Sequence, residues 1–474
     1  MPPLRFRSGF WCVLLALLAV LPAFAADEEL IRLLEEKGYL TQKEANQILA
    51  DKGGDFTFKP NTPRTEELSV GVMMQFQYNY IQGTNDGGPN PTTRNNFLLN
   101  RAYLILEGKL GDGFGGVIVP NFGDGTVRLD HAYLYKMIEN PDISIYAGLR
   151  KVRFAKEEYY DTEKLLTVTR SNVTNYWGND TGTEDEVPEG TEANGSMGFA
   201  AQHMGLFADY QIDDNVGLEF SLVNGYASYL PSNNFQNRIG AYFQVRTAWD
   251  LADPKEEKLR LEAGLNTGFQ PAGNSYWQPT VSGGTVSASN LYIGFSPSDS
   301  SSIGLNPYLV FQWQDLTVST EFLLNWVEHS QLYDNSQLLA SQAGATPGSG
   351  TAMPLGIIVT PSYRFDEDFE VVFQYAFLNT DGRGVQIDST VPNAPGVGRL
   401  FFNEAQSFYL GFNWYILGED LKLQIGYNYL NYTGRYMVPS DAVLTPVTPG
   451  DGNGGFGGPG YSIHAIRTQL QIIF

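Results

Sequence analysis

Residues 405–430 read AQSFYLGFNWYILGEDLKLQIGYNYL, and the fold is decided in this stretch. From 405 to 416 the residues alternate. Phe408, Leu410, Phe412, Trp414 and Ile416 fall on one side, and Ser407, Tyr409, Gly411, Asn413 and Tyr415 on the other. Side chains of a strand point alternately to its two faces, so this spacing predicts a strand with an apolar and a polar face. Gly418-Glu419 marks a tight turn. Leu421, Leu423, Ile425, Tyr427 and Tyr429 then resume the apolar face, opposite Lys422, Gln424, Gly426 and Asn428. Each strand is near the ~9–11 residues that a tilted membrane strand needs.

Working outward, the same period recurs from Leu68 to Phe474. About 16 strands are predicted by alternation and turn signals. The connections sort into two sets. Gly111-Asp112-Gly113, Glu139-Asn140-Pro141, Asp213-Asp214, Gln314-Asp315, Asp366-Glu367 and Gly418-Glu419 are short. Segments 83–95, 151–196, 225–236, 270–303, 328–354, 380–404 and 433–460 are long. Short and long connections alternate along most of the chain, as they do in outer-membrane barrels with short periplasmic turns and long external loops. The expected fold class is all-β: a transmembrane antiparallel β-barrel of about 16 strands with a short N-terminal helical periplasmic segment.

The chain opens with the pattern of an export signal. Arg5 and Arg7 precede the apolar run Phe10–Leu21, and Ala23-Phe24-Ala25 supplies a small-residue cleavage site. Residues 1–25 are therefore expected to be a signal peptide. The only cysteine, Cys12, lies within it, so no disulfide or thiol chemistry is expected in the mature protein. Residues 26–55 have helical spacing, with Leu30, Leu33 and Leu34, a Gly38 stop, and a Thr41/Glu44 capping box. Residues 56–67 read as a linker and 68–474 as the barrel. At the end, Leu470, Ile472 and Phe474 share a face; a terminal aromatic on an amphipathic strand looks like the signal read by barrel-assembly machinery.

Catalytic signatures such as G-x-S-x-G, the P-loop and H-E-x-x-H are missing, and the four histidines are scattered. No enzyme and no cofactor is expected. The acidic loops 177–195 and 441–460 lack EF-hand spacing, so no metal site is expected. A net charge of -22 argues against nucleic acid. Net charge does not report where charges sit, however. An Arg or Lys on the lipid face near mid-bilayer costs ~2–4 kcal/mol, so charged residues within strands are expected to face the lumen. Arg101, Lys109, Arg128, Lys136, Arg150, Arg238, Arg246, Arg260, Arg364, Lys422 and Arg467 read as inward, as do Glu107, Asp130, Glu262, Glu321 and Glu370. On that reading inward bases outnumber inward acids by roughly two to one. In 128–137, Arg128, Asp130 and Lys136 oppose Leu129, Tyr133 and Met137, with His131 on the apolar side.

The longest connection, 151–196, is the candidate constriction loop and carries Arg153 and Lys156. A charged ring at such a constriction selects ions by sign.

Some of these residues resemble a known family. Leu106-Glu107-Gly108-Lys109 with Gly111-Asp112, then Phe122-Gly123-Asp124-Gly125 and Ala132-Tyr133, are similar to a turn of the phosphate-selective porins O and P. Ala147-Gly148, Lys151, Phe154 and Glu157-Glu158 look like a variant of that family's G-x-x-K-x-P-F-S-x-E stretch, with Arg153 in place of the Pro and Ala155 in place of the Ser. The likeness covers about residues 97–170. It implies a 16-stranded, trimeric barrel in the outer membrane of a Gram-negative-type bacterium, whose pore in some members passes phosphate. The expected function is a passive diffusion channel for small hydrophilic solutes with an anion or phosphate preference. The expected partners are outer-membrane lipid and lipopolysaccharide, small anions, and further copies of the chain. Two alternatives stand beside it: a sugar-type channel with Tyr146, Tyr159, Trp177 and Tyr242 as a stacking track, and a non-conducting structural or adhesive barrel.

Overall fold

A computed structural model describes residues 56–58, 65–85, 92–123, 127–178, 191–194, 197–200, 202–224, 239–251, 259–271, 281–282, 285–286, 301–330, 350–381, 385–389, 399–438 and 461–474. The expected signal peptide and helical segment lie outside these residues, as does Arg238.

Alternation gives each strand one apolar face, and the strands bury their backbone polar groups against one another. Sixteen of them form a closed antiparallel ring: β1 (Thr65–Asn85), β2 (Thr92–Leu110), β3 (Phe114–Asn121), β4 (Arg128–Ile138), β5 (Ile143–Lys151), β6 (Gln202–Gln211), β7 (Val216–Asn224), β8 (Ile239–Asp250), β9 (Leu259–Gln270), β10 (Ser301–Trp313), β11 (Leu316–Ser330), β12 (Leu355–Arg364), β13 (Phe369–Asn379), β14 (Arg399–Glu419), β15 (Leu421–Val438) and β16 (Tyr461–Ile473). Each pairs with its neighbour in sequence. β16 returns to β1, with Gln471 opposite Gln75 and Ile473 opposite Met73. Closure leaves no open edge, which is what lets a sheet sit in hydrocarbon.

The strand count agrees with the sequence reading. Several strands run longer than predicted, so β1 and β2 are separated only by 86–91. β14 and β15 continue well past a membrane thickness. A short pair, Thr191–Asn194 against Val385–Ser389, joins the long-loop rim through the start of β14.

The two faces separate cleanly. Phe76, Leu206, Ile303 and Leu410 point out and are each about half exposed. A contiguous apolar exterior of this kind fits a lipid surround and would be a liability in water. Inside, amides bond strand to strand. Gln75 Nε2 donates to Gln471 Oε1 at 2.8 Å, Gln77 to Gln469 at 3.0 Å, Gln469 to Gln424 at 3.0 Å and Gln424 to Asn413 at 3.1 Å. A second ladder runs from Gln244 to Asn266 (2.7 Å), Asn306 (2.7 Å) and Glu321 (3.0 Å). Unpaired buried polar groups are costly, and the ladders pair most of these buried amides, with Gln77 Oε1 left without a partner among the described residues.

Simple alternation breaks in β2, where Asn100 is the extra residue opposite Gln75 and Phe76, and again in β4. The pairing of β3 with β4 shifts between Val119 and Pro120, where Asp130 is the extra residue. A bulge reverses which residues face inward beyond it. Tyr133 and Tyr135 therefore point into the lumen, where Tyr135 Oη donates to Glu107 at 2.7 Å. Leu134, 69% exposed, points out.

Candidate functional site

At Lys151 the chain leaves β5 and, instead of rising over the rim, turns into the lumen. Helix α1 (Lys156–Tyr159), a 3-10 turn at Thr162–Lys164 and helix α2 (Asn172–Trp177) follow. Ser171 caps α2, accepting from the Thr174 N–H at 3.1 Å. The apolar residues of the segment supply the reason for the turn. Val152, Phe154, Val173, Trp177 and Phe199 are fully buried against the inner wall.

The wall carries glycine where the loop lands. A Cβ on Gly304 would come within 2.5 Å of Phe199 and 2.7 Å of Phe154; one on Gly268 would come within 2.8 Å of Phe199; and one on Gly356 would collide with Val173. These three positions act as sockets.

Polar anchors fix the loop at both sides of the ring. On one side, Arg153 Nε pairs with Glu219 of β7 at 2.7 Å, and Lys156 Nζ pairs with Glu262 of β9 at 2.5 Å. Glu321 of β11 accepts the Lys156 and Glu157 N–H groups at the start of α1. Trp177 Nε1 donates to Asn325 Oδ1 at 2.7 Å. On the other side, Gln374 Nε2 donates to Glu157 at 2.8 Å, Ser407 Oγ to Asn172 at 2.7 Å, Asn413 Nδ2 to the Leu166 carbonyl at 3.0 Å and Gln424 Nε2 to the Leu165 carbonyl at 3.0 Å. Within the loop, Glu158 takes Lys151 at 3.4 Å and Arg170 at 3.2 Å. Burial opposes the charge of Arg153, but the Glu219 and Asp209 carboxylates outweigh it and hold its pKa above the usual arginine range. Burial pushes the Tyr159 hydroxyl well above its usual range.

The predicted basic residues fall in several places. Arg150 is buried on the inner face, over the Tyr146 ring at 4.0 Å and paired with Asp209 at 3.0 Å. Lys422 is buried inside, bonded to the Glu163 carbonyl at 2.5 Å and to Glu419 at 2.7 Å. Arg467 is buried on the inner face of β16. Arg101 donates to Gln75 at 2.9 Å. Lys109 pairs with Glu67 at 2.7 Å near the short-turn rim. Arg246, Arg260 and Arg364 reach lumen solvent; Arg246 bonds Gln211 at 3.2 Å, and Arg364 lies over the Tyr415 ring at 4.4 Å. Arg128 is exposed at the start of β4.

Lys136 corrects the sequence reading. It shares the outward face with Leu134, and its amine lies 4.2 Å over the half-exposed Phe114 ring. The bulge at Asp130 reversed its face, and its position by the turn lets the amine reach the Asp112 carbonyl at the rim. Leu470 and Ile472 take the outward face of β16, and Phe474 follows it, 45% exposed.

Two other expectations change. The two-to-one excess of inward bases shrinks, because Asp209, Glu219, Glu157 and Glu158 also face the lumen, and Asp209 and Glu219 pair with Arg150 and Arg153. Glu219 alternates with apolar residues in LEFS, so its facing was readable from sequence; Glu157 and Glu158 were not, because a loop has no face until it docks. The aromatic stacking track does not form. Trp177 and Tyr242 are buried, Tyr242 donating its hydroxyl to the Phe199 carbonyl at 2.6 Å.

Between the loop and the β9–β13 wall lies a cavity of about 360 Å³. Among the described residues no cluster of three or more histidine, cysteine, aspartate or glutamate side chains could hold a metal ion.

No protein-family model and no curated protein matches the sequence. Several solved structures are similar in shape. The outer membrane channel DcaP of Acinetobacter baumannii is 13% identical, with 88% of this chain and 99% of that one covered at a TM-score of 0.49. An anion-selective porin from Comamonas acidovorans is 11% identical, with 86% and 100% covered at 0.48. OprB of Pseudomonas putida, in its high-pH structure, is 14% identical, with 90% and 96% covered at 0.46.

Proposed function

We propose that the chain is an outer-membrane porin, a passive diffusion channel for small hydrophilic solutes. One observation carries the reading. A closed ring with an apolar exterior and a polar interior is crossed by an inward loop held at both walls. Such a loop narrows a lumen without sealing the sheet, and the polar lining replaces part of a solute's hydration.

The charges support weak selectivity. Most inward bases are neutralised by ion pairs, so they brace the loop more than they attract anions. Arg246, Arg260 and Arg364 are the groups that would carry an anion preference. A phosphate preference would need a cluster of unpaired bases, and among the described residues those three stand on separate strands.

The localisation proposed is the outer membrane, in contact with lipid and lipopolysaccharide. Leu470, Ile472 and Phe474 serve as the assembly signal, and a homotrimer is the assembly. Native mass spectrometry in detergent tests the trimer. The function is tested by reconstituting purified protein in planar bilayers. Stepwise current increments in potassium chloride, with a small reversal potential in a salt gradient, are expected. A membrane that stays silent would refute the channel.

A closed structural barrel is the second reading. Ile81, Leu378, Leu430, Tyr432 and Ile463 are buried apolar residues on the inner face towards the long-loop rim. That favours a plugged lumen at that level, which the silent membrane would reveal.

A further inference from the structure

We infer that the cavity between the inward loop and the β9–β13 wall is a binding subsite for small neutral polyhydroxy solutes, of monosaccharide to disaccharide size. The inference rests on the channel reading and names a solute class for it.

The cavity's volume, about 360 Å³, is at the lower end of small-molecule sites. Its wall presents Gln312, Thr317, Ser319, Thr360, Ser362 and Gln374. These are hydroxyls and amides, groups that both donate and accept. Ser362 is 3% exposed, and its Oγ has no hydrogen-bond partner. A buried hydroxyl left unpaired is costly, and a solute hydroxyl would satisfy it. Gln312, Thr317 and Ser319 are half-buried, and they make no side-chain hydrogen bond among the described residues. On the loop side, Tyr160 offers a partly exposed ring and Leu165 and Leu166 offer apolar surface, the two faces that a sugar ring needs covered.

Charge decides against anionic ligands. Glu157, Glu262, Glu321 and Glu370 line the cavity with Lys156 and Arg260, a lining two charges negative that repels anions. The carboxylates are already engaged. Glu321 takes the α1 N–H groups, Glu157 takes Ser171 and Gln374, Glu370 takes the Tyr415 hydroxyl at 2.5 Å, and Glu262 takes Lys156. What remains unmet is neutral hydrogen bonding.

Single open channels are recorded with glucose and maltose added, beside choline chloride and inorganic phosphate as charged probes. A saturable fall in current with a sugar, beyond the change in bulk conductivity, is expected. Ser362→Ala should weaken the apparent affinity roughly twofold to tenfold, the worth of one hydrogen bond, and Ser362→Thr should restore it. Sugar effects no larger than bulk conductivity, or block by choline or phosphate alone, would overturn the subsite and leave the channel standing. No current at all would fail the channel reading. Titration calorimetry of maltose into the detergent-solubilised barrel then decides the subsite by itself: saturable heat supports it and none overturns it.

Discussion

Replacing Trp177 by alanine should release the inward loop. The indole is fully buried on α2, against Tyr176 at 5.1 Å between ring centres, and it packs into the socket at Gly356. Truncating a buried tryptophan costs about 3–5 kcal/mol. The same change removes the 2.7 Å hydrogen bond to Asn325 Oδ1. Asn325 Nδ2 keeps its bond to Ser302 Oγ at 2.8 Å, while the buried Oδ1 loses its donor and adds to the cost. The barrel wall does not depend on the indole, so the loss falls on docking. Each ~1.4 kcal/mol is a factor of ten, so the undocked population should rise by roughly two to three orders of magnitude. Trypsin reads this directly, because Lys156, Lys164 and Arg170 lie in the loop and cleavage tracks the open population when reclosure is fast. The variant should be cut in the loop while the barrel stays folded, and its conductance should rise. Trp313→Ala on the outer face, where the ring is about half exposed, should leave protection unchanged. Equal trypsin resistance of Trp177→Ala and the parent, with both barrels folded, would refute the reasoning.

Other expectations follow from the same geometry. Gly304→Val should crowd Phe154 and Phe199 out of their socket and raise loop cleavage, whereas Gly418→Ala, at a turn where an added Cβ meets nothing but φ is +61°, should cost stability without exposing the loop. Glu219→Gln should leave Arg153 and Arg150 short of a carboxylate and shift the reversal potential towards anions; an unchanged potential would place that pair away from the permeation path. Arg260→Glu should shift it towards cations, while Lys136→Glu, on the outer face, should leave selectivity unaltered in conductance recordings.

Much of the fold was legible in the sequence because period two and loop length are local signals. The 405–430 hairpin forms as read, with Phe412 opposite Ile425 and Asn413 opposite Gln424. The constriction loop was legible only as the longest connection. Its path depends on glycines 268, 304 and 356 and on carboxylates from β7, β9 and β11, which are far away in sequence. Lys136 was misplaced for a local reason: one extra residue at Asp130 reverses every face beyond it, and no turn signal announces a bulge inside a strand. Trp177 and Tyr242 carry no mark distinguishing a lumen-exposed ring from one that packs a loop against the wall.

The claim that the loop lies inside the barrel is tested most directly by a cross-link. A Cβ on Gly356 would press on Val173 Cγ1, so a Val173→Cys/Gly356→Cys pair brings two thiols within disulfide reach. Cys12 is the only native cysteine, and it lies in the expected signal peptide. Mass spectrometry of the oxidised, folded protein should show peptides containing 173 and 356 joined, with the link absent after reduction. Two thiols that remain free and separately alkylated in a folded barrel would contradict the account.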